Sequence, residues 1–194
     1  TTGFFFVTVD FDPGAGVYNL TSFGQRDIFI SKLDPAGNFI WAKQMGGTDY
    51  DHSWSLALDA AGNVYTTGEF VSTIADFDPG PGIFNLTSFG SVDIFISKLD
   101  PSGNFVWVKQ IGGSSIDRGN FITVDGTGNI YVTGDFFGTN ADFDPAAGTY
   151  SMSSFGDADI FVLKLDATGN FVWAKHMGGT NSEQGNAITF DNAG

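Results

Sequence analysis

The stretch DIFISKLDPAGNFIWAKQMGG at residues 27–47 decides how the rest of this chain is interpreted. It returns as DIFISKLDPSGNFVWVKQIGG from Asp93 and as DIFVLKLDATGNFVWAKHMGG from Asp159, a spacing of 66 residues both times. Over one full period, residues 27–92 and 93–158 are identical at 35 of 66 positions. A fixed period of this length indicates a tandem array of one supersecondary unit. We therefore divide the chain into one repeat array with units of approximately 1–59, 60–125 and 126–191.

Each unit predicts four short strands joined by tight turns. DIFISKL and NFIWAKQM flank the turn DPAGN at 34–38, with Asp at its start, Pro next, and Gly where a positive φ is expected. A second turn of the same kind, DAAGN, joins the strand SLALD at 55–59 to NVYTTGEF at 63–70. The counterparts of SLALD are FITVD at 121–125 and AITFD at 187–191. An inserted hairpin with the motif DFDP precedes each DIF strand, and no segment has a helical period.

This pattern predicts an all-β fold made of β-propeller blades, in three tandem 66-residue, four-stranded repeats. SLALD is predicted to be the inner strand and NFIWAKQM the rim strand. The Trp column (Trp41, Trp107, Trp173) is then expected between adjacent blades. Because a propeller needs at least four blades, we expect the ring to be closed by dimerisation or by further repeats. The absence of an initiator Met and of a signal peptide predicts a portion of a longer polypeptide.

The order of the two turn motifs resembles a known family. The alternation KLDPxGNxxWxKxxGG, then xxxxLDxxGNVYxTG, is similar to the SBBP-type propeller repeats of bacterial secreted and surface proteins, and it covers essentially the whole chain. The DFDPGPG hairpin is less typical of that family. The resemblance implies an extracellular or cell-surface location and a structural or binding role, and it implies no single activity.

The charge of the chain excludes some classes of partner. The formal net charge is −14, from 22 Asp and Glu against 8 Lys and Arg. Nucleic acids and anionic membranes both need basic patches, so neither is expected as a partner. No apolar run approaches the roughly 20 residues of a membrane span. Of the 22 carboxylates, 18 fall in six columns that recur in every unit: Asp10/76/142, Asp12/78/144, Asp27/93/159, Asp34/100/166, Asp51/117/Glu183 and Asp59/125/191.

Two of these acidic sets are candidate binding sites. The first is the hairpin motif DxDP, whose paired carboxylates could offer oxygens to Ca²⁺: Asp10, Asp12, Asp76, Asp78, Asp142 and Asp144. The alternative is that these acids cap the hairpin turns through the backbone. The second set, Asp51, Asp117 and Glu183, precedes the inner strands and could form a ligand face for a cation or a sugar. Its alternative role is also to cap backbone amides. The acids that open the D-x-x-G-N turns are predicted to be structural.

The repeats favour a non-enzymatic, extracellular or cell-surface scaffold or adhesin-like propeller module. Its expected partners are a second copy of itself or flanking repeats, a glycan, or a surface protein. One alternative is a calcium-dependent glycan- or protein-binding propeller. A further alternative is a hydrolase or lyase, for which a cluster unique to one unit is the sole candidate: Asp49, Asp51, His52 and Trp54. No motif assigns a catalytic residue or a firm cofactor.

Overall fold

The structure, a computed structural model, describes residues 1–71 and 73–191. These residues form seventeen β-strands and no helix. In chain order the strands are β1 (Thr2–Phe5), β2 (Thr8–Asp10), β3 (Asn19–Thr21), β4 (Asp27–Leu33), β5 (Phe39–Gly47), β6 (Asp51–Leu58), β7 (Val64–Phe70), β8 (Ala75–Asp76), β9 (Asn85–Leu86), β10 (Asp93–Leu99), β11 (Phe105–Ile111), β12 (Asp117–Val124), β13 (Ile130–Phe137), β14 (Ala141–Asp142), β15 (Ser151–Met152), β16 (Ala158–Leu165) and β17 (Phe171–Met177).

The strands form antiparallel blades in the predicted order. The second blade is β6–β7–β10–β11 and the third is β12–β13–β16–β17, while the first contains β1, β4 and β5. The all-β propeller-blade prediction is therefore confirmed. The inner strand of each complete blade comes from the end of the preceding sequence unit, so the blades are offset from the units 1–59, 60–125 and 126–191.

Two strand bounds differ from the prediction. The inner strands begin at Asp51 and Asp117, four residues before SLALD and FITVD, because the chain pairs with the neighbouring strand from its first polar residues onward. The predicted strand AITFD at 187–191 is not a strand in the structure. A β-strand needs the backbone groups of a partner, and the described residues supply no second strand for this segment.

The second and third inserted hairpins are each anchored to their own blade and to the one before. Phe77 of the DFDP motif is fully buried, with its ring centroid 5.4 Å from that of Phe70 and 5.0 Å from that of Phe95. The strand β8 also pairs with the last two residues of β5 in the preceding blade. A bridge between Gly112 and Asp142 repeats this pairing one blade later. The hairpins therefore tie neighbouring blades together.

Apolar side chains fill the space between blades, as the Trp column predicted. Trp41 of the first blade packs against a buried cluster that includes Val64, Leu99 and Val108 of the second blade. Trp107 packs in the same way against a cluster that contains Leu165 of the third blade. Trp41 and Trp107 each lie over the glycine of a D-x-x-G-N turn on the next blade. A Cβ added to Gly103, for instance, would lie 3.3 Å from the Trp41 ring.

Candidate functional site

The acids of the DxDP motif cap the hairpin turns. Asp76 Oδ1 accepts the N–H of Asp78 at 3.0 Å and that of Phe84 at 2.9 Å. Asp78 Oδ1 accepts the N–H of Gly80 at 2.8 Å. The same three bonds recur at Asp10 and Asp12 and at Asp142 and Asp144. Across residues 1–71 and 73–191, no group of three His, Cys, Asp or Glu side chains could hold a metal ion. Capping is thus the role that the hydrogen bonds show, and calcium at these six residues stays the alternative prediction.

The turn acids have the predicted structural role. Asp34 accepts hydrogen bonds from the backbone of Ala36 and from both the backbone and the side chain of Asn38. The side-chain and backbone N–H groups of Asn38 hold the pKa of Asp34 below its usual value. In the third blade, the backbone N–H of Asn170 and the hydroxyl of Thr168 lower the pKa of Asp166 to about 2. These carboxylates stabilise the turns that set the spacing of the strands.

The acids predicted for a ligand face lie beneath the surface in two of the three units. Asp51 and Asp117 are fully buried. The backbone N–H of Gly47 donates to Asp51 Oδ2 at 2.7 Å, and the N–H of Gly113 donates to Asp117 Oδ2 at 2.8 Å. Glu183 is half-buried and accepts the N–H of Gly179 at 2.8 Å. The structure thus gives all three the backbone-capping role, and ligand contact by this set stays a prediction.

A second buried acid lies beside each of Asp51 and Asp117. A Cβ added to Gly112 would lie 2.6 Å from Asp93 Oδ1 and 2.8 Å from Asp117 Oδ2. Asp27 and Asp51 stand in the same relation to Gly46. Gln110 Nε2 donates to Asp93 Oδ2 at 2.7 Å, but Asp93 Oδ1 is buried without a hydrogen-bond partner. We call Asp93 and Asp117 the buried acid pair.

Burial makes this pair hold protons at unusually high pH. Burial raises the pKa of Asp93 to about 6, although the N–H groups of Phe89 and Gln110 act in the opposite direction. Burial also raises the pKa of Asp117 to about 7, and the nearby charge of Asp93 adds to that rise. Ionising both of two carboxylates that are close together and shielded from water costs a large free energy. The pair is therefore partly protonated near neutral pH.

Side chains that differ between the units meet at the inner strands. Glu69 lies between His52, at 3.2 Å from Nδ1, and Arg118, at 3.1 Å from Nε. Arg118 also reaches Asp135 at 3.2 Å. Asp135 in turn accepts hydrogen bonds from Asn120 at 2.9 Å and from Gln184 at 3.2 Å. This chain of contacts joins the second blade, the third blade and the segment that follows β17.

A cavity of about 420 Å³ opens beside this network. It is lined by Trp54, Glu69, Arg118, Asn120, Gln184 and Asn186, and we call it the axial cavity because it lies along the inner strands. Trp54 is 47% exposed. Of the catalytic cluster considered from the sequence, His52 and Trp54 are in contact here, with ring centroids 5.3 Å apart, but Asp51 does not join them. Asp51 is buried against the backbone of Gly47, whereas His52 contacts Glu69.

Comparison with known proteins identifies the repeat. Residues 106–144, which run from β11 to the DFDP hairpin of the third blade, match the SBBP family, described as a β-propeller repeat. The chain therefore contains an SBBP-type β-propeller repeat. The four-stranded antiparallel sheets agree with that assignment.

Two curated proteins resemble this SBBP-type chain. One is an uncharacterized WD repeat-containing protein of Acanthamoeba polyphaga mimivirus, which is 33% identical over 198 residues and aligns with 92% of this chain. The other is the regulatory protein FlaEY of Caulobacter vibrioides, which is 28% identical over 146 residues, or 75% of the chain. The chain spans 14% and 15% of the length of these two relatives. Together with the blades, the matches support a repeat scaffold.

Two columns of the repeat at the axial cavity differ between the units, and from the sequence their residues His52 and Trp54 were considered only as part of a catalytic cluster. The column Trp54, Asn120 and Asn186 differs within otherwise similar units, and so does the column His52, Arg118 and Gln184. Differences between the units within an otherwise constant repeat were the signal that the sequence offered for this site.

The described residues include no helix long and apolar enough to pass through a bilayer.

Proposed function

We propose that this chain is part of a non-enzymatic interaction scaffold displayed outside the cell or on its surface. The observation that carries the proposal is the contrast between a constant framework and a variable inner side. The blade strands, the hairpin anchors and the turn acids repeat from unit to unit. Two columns at the axial cavity vary: Trp54 aligns with Asn120 and Asn186, and His52 aligns with Arg118 and Gln184. A constant frame that presents different side chains at one place suits binding.

The location and the partners are part of the same proposal. An SBBP-type repeat fits an extracellular or envelope protein of adhesin-like character, in which further repeats or a second copy close the ring. A net charge of −14 supports neutral or cationic partners over nucleic acid. The name of one relative, a WD repeat-containing protein, supports an interaction role over catalysis.

Antibodies raised against this segment test the location. They are applied to intact and to permeabilised cells that produce the parent protein, and staining of the intact cells is expected. Staining after permeabilisation alone would reject the surface location.

Beads coated with the full chain test the binding role. They are expected to adhere to cells or to retain a defined surface component, whereas beads coated with an unrelated acidic protein are not. Turnover of a hydrolase or lyase substrate that His52→Ala abolishes would reject the non-enzymatic assignment.

A further inference from the structure

The inner strands carry a β-bulge at the same place in two successive blades. The pairing of β6 with β7 shifts between Ser53 and Ser55, which leaves Trp54 as the extra residue. The pairing of β12 with β13 shifts between Gly119 and Phe121, which leaves Asn120 as the extra residue. A bulge re-aims the side chain of its extra residue and is common beside functional sites. Both extra residues line the axial cavity.

The motif TG[E/D]F explains why the bulge forms here. Gly68 faces the bulge of β6, and a Cβ at this position would overlap the carbonyl oxygen of His52. Gly134 faces the bulge of β12, and a Cβ there would overlap the carbonyl oxygen of Arg118. Glycine is therefore required at both positions to let the bulged backbone approach. The repeat motif itself therefore accommodates the bulge.

The charged groups of the axial cavity are paired with one another or with side-chain amides. Glu69 lies between His52 and Arg118, and Asp135 is bound by Arg118 and by two side-chain amides. These contacts hold the acidic side chains in place and leave no isolated charge to recruit an ion. A ligand would meet amide groups together with the partly exposed ion pair of Arg118 and Glu69.

The remaining lining has the chemistry of a site for a neutral polyhydroxylated ligand. Trp54 offers an exposed aromatic surface, and its contacts with Phe4 and His52 are both edge-on, at 76° and 77°. Asn186 carries an amide that can both donate and accept hydrogen bonds. The NH₂ group of Asn120 donates to Asp135 and to the backbone oxygen of Gly185, so Asn120 offers its Oδ1 as an acceptor. Gln184 donates to Asp135 and likewise offers its side-chain oxygen. The volume of about 420 Å³ lies within the range of small-molecule sites. Sugar rings combine an apolar face with many hydroxyl groups, so they match both parts of this lining.

We infer that the axial cavity binds a neutral carbohydrate unit, with Trp54 as the platform and the amides of Asn120 and Asn186 as hydrogen-bonding partners. This inference rests on the proposed function as an interaction scaffold and names the ligand class for it. It requires no calcium, because the lining holds no cluster of unpaired acids. Acidic glycans are disfavoured by the charge of −14.

The test is a glycan array of neutral and acidic oligosaccharides, probed with the full chain in the presence of a calcium chelator. Calorimetry with the strongest neutral glycan then gives the affinity of the wild type and of Trp54→Asn. This variant places at the bulge of β6 the residue that the next two units already carry, Asn120 and Asn186, so the bulge itself tolerates it. Phe89→Ala, at a side chain that is 63% exposed and does not line the cavity, is the control.

We expect a neutral glycan to bind without calcium, Trp54→Asn to weaken the binding at least tenfold, and Phe89→Ala to change it less than twofold. Thermal unfolding of each variant checks that the fold is retained. Asn186→Ala, in the segment after β17, is a second variant that should also weaken binding.

Three outcomes would overturn the inference: binding that requires calcium, binding of acidic glycans alone, or binding that Trp54→Asn leaves unchanged. An array without any bound glycan would also reject it. In that case, retention of a surface protein by the coated beads would leave the scaffold function standing, so the two failures are distinguishable.

Discussion

The buried acid pair predicts that this protein loses stability as the pH rises towards neutrality. The pKa values of Asp93 and Asp117 are raised to about 6 and about 7, from an unfolded value of 3.8. Between these values the folded state binds more protons than the unfolded state, so stability falls with rising pH. The stabilising contribution is complete below about pH 4 and is lost as the pH passes through 6 and 7.

The size of the effect follows from the pKa shifts. At 1.36 kcal/mol per pKa unit, the shift of Asp117 alone corresponds to roughly 4 kcal/mol between the limits. The two groups titrate as a coupled pair, so their shifts are not added. We expect the free energy of unfolding to fall by about 2–4 kcal/mol between pH 5 and pH 8.

Urea unfolding followed by Trp fluorescence at pH 5, 6, 7 and 8 measures this change. Asp117→Asn should flatten the profile and stabilise the protein at pH 8, because an amide cannot ionise. Its oxygen can still accept the N–H of Gly113. Asp100→Asn, in a surface turn, should leave the slope between pH 5 and 8 unchanged, because the pKa of Asp100 is lowered by Asn104. A wild-type profile that is flat or rises over this range would refute the reasoning, and so would an equally steep profile for Asp117→Asn.

Three further predictions concern the hairpins, the bulge and the assembly. Millimolar calcium added after chelation should leave the melting temperature unchanged, because the Asp76 and Asp78 oxygens already accept backbone N–H groups. A rise in melting temperature that is lost in Asp76→Asn but kept in Asp34→Asn would instead establish a calcium site. Gly134→Ala should lower the free energy of unfolding in urea by at least about 2 kcal/mol. Gly126→Ala, with nothing within 4 Å of the added Cβ, should leave it nearly unchanged. Equal effects of the two substitutions would refute the argument that the backbone approaches Gly134 closely. Light scattering of the isolated chain should detect a dimer or a larger species, since no described blade covers Trp173 as the next blades cover Trp41 and Trp107; a folded monomer in dilute solution would contradict this.

The sequence by itself determined the strands, their turns and their order within a blade. The D-x-x-G-N motif acts within five residues, since Asp34 binds the backbone of Asn38 and Gly37 takes a φ of 84°. Local chemistry of this kind can be read directly from the residues. The period of 66 then extended the assignment to every unit, and it placed the Trp column between blades.

The tertiary structure alone decided which side chains meet. Asp93 and Asp117 begin strands in different blades, and their close approach around Gly112 depends on how those blades pack. Their raised pKa values follow from burial, which no local pattern reports. AITFD has the composition of a strand but no partner among the described strands, so it is not one. The axial cavity depends in the same way on the packing of neighbouring blades and on the bulges that aim Trp54 and Asn120 into it. Contacts between distant segments are set by packing, and the sequence encodes packing only through the whole fold.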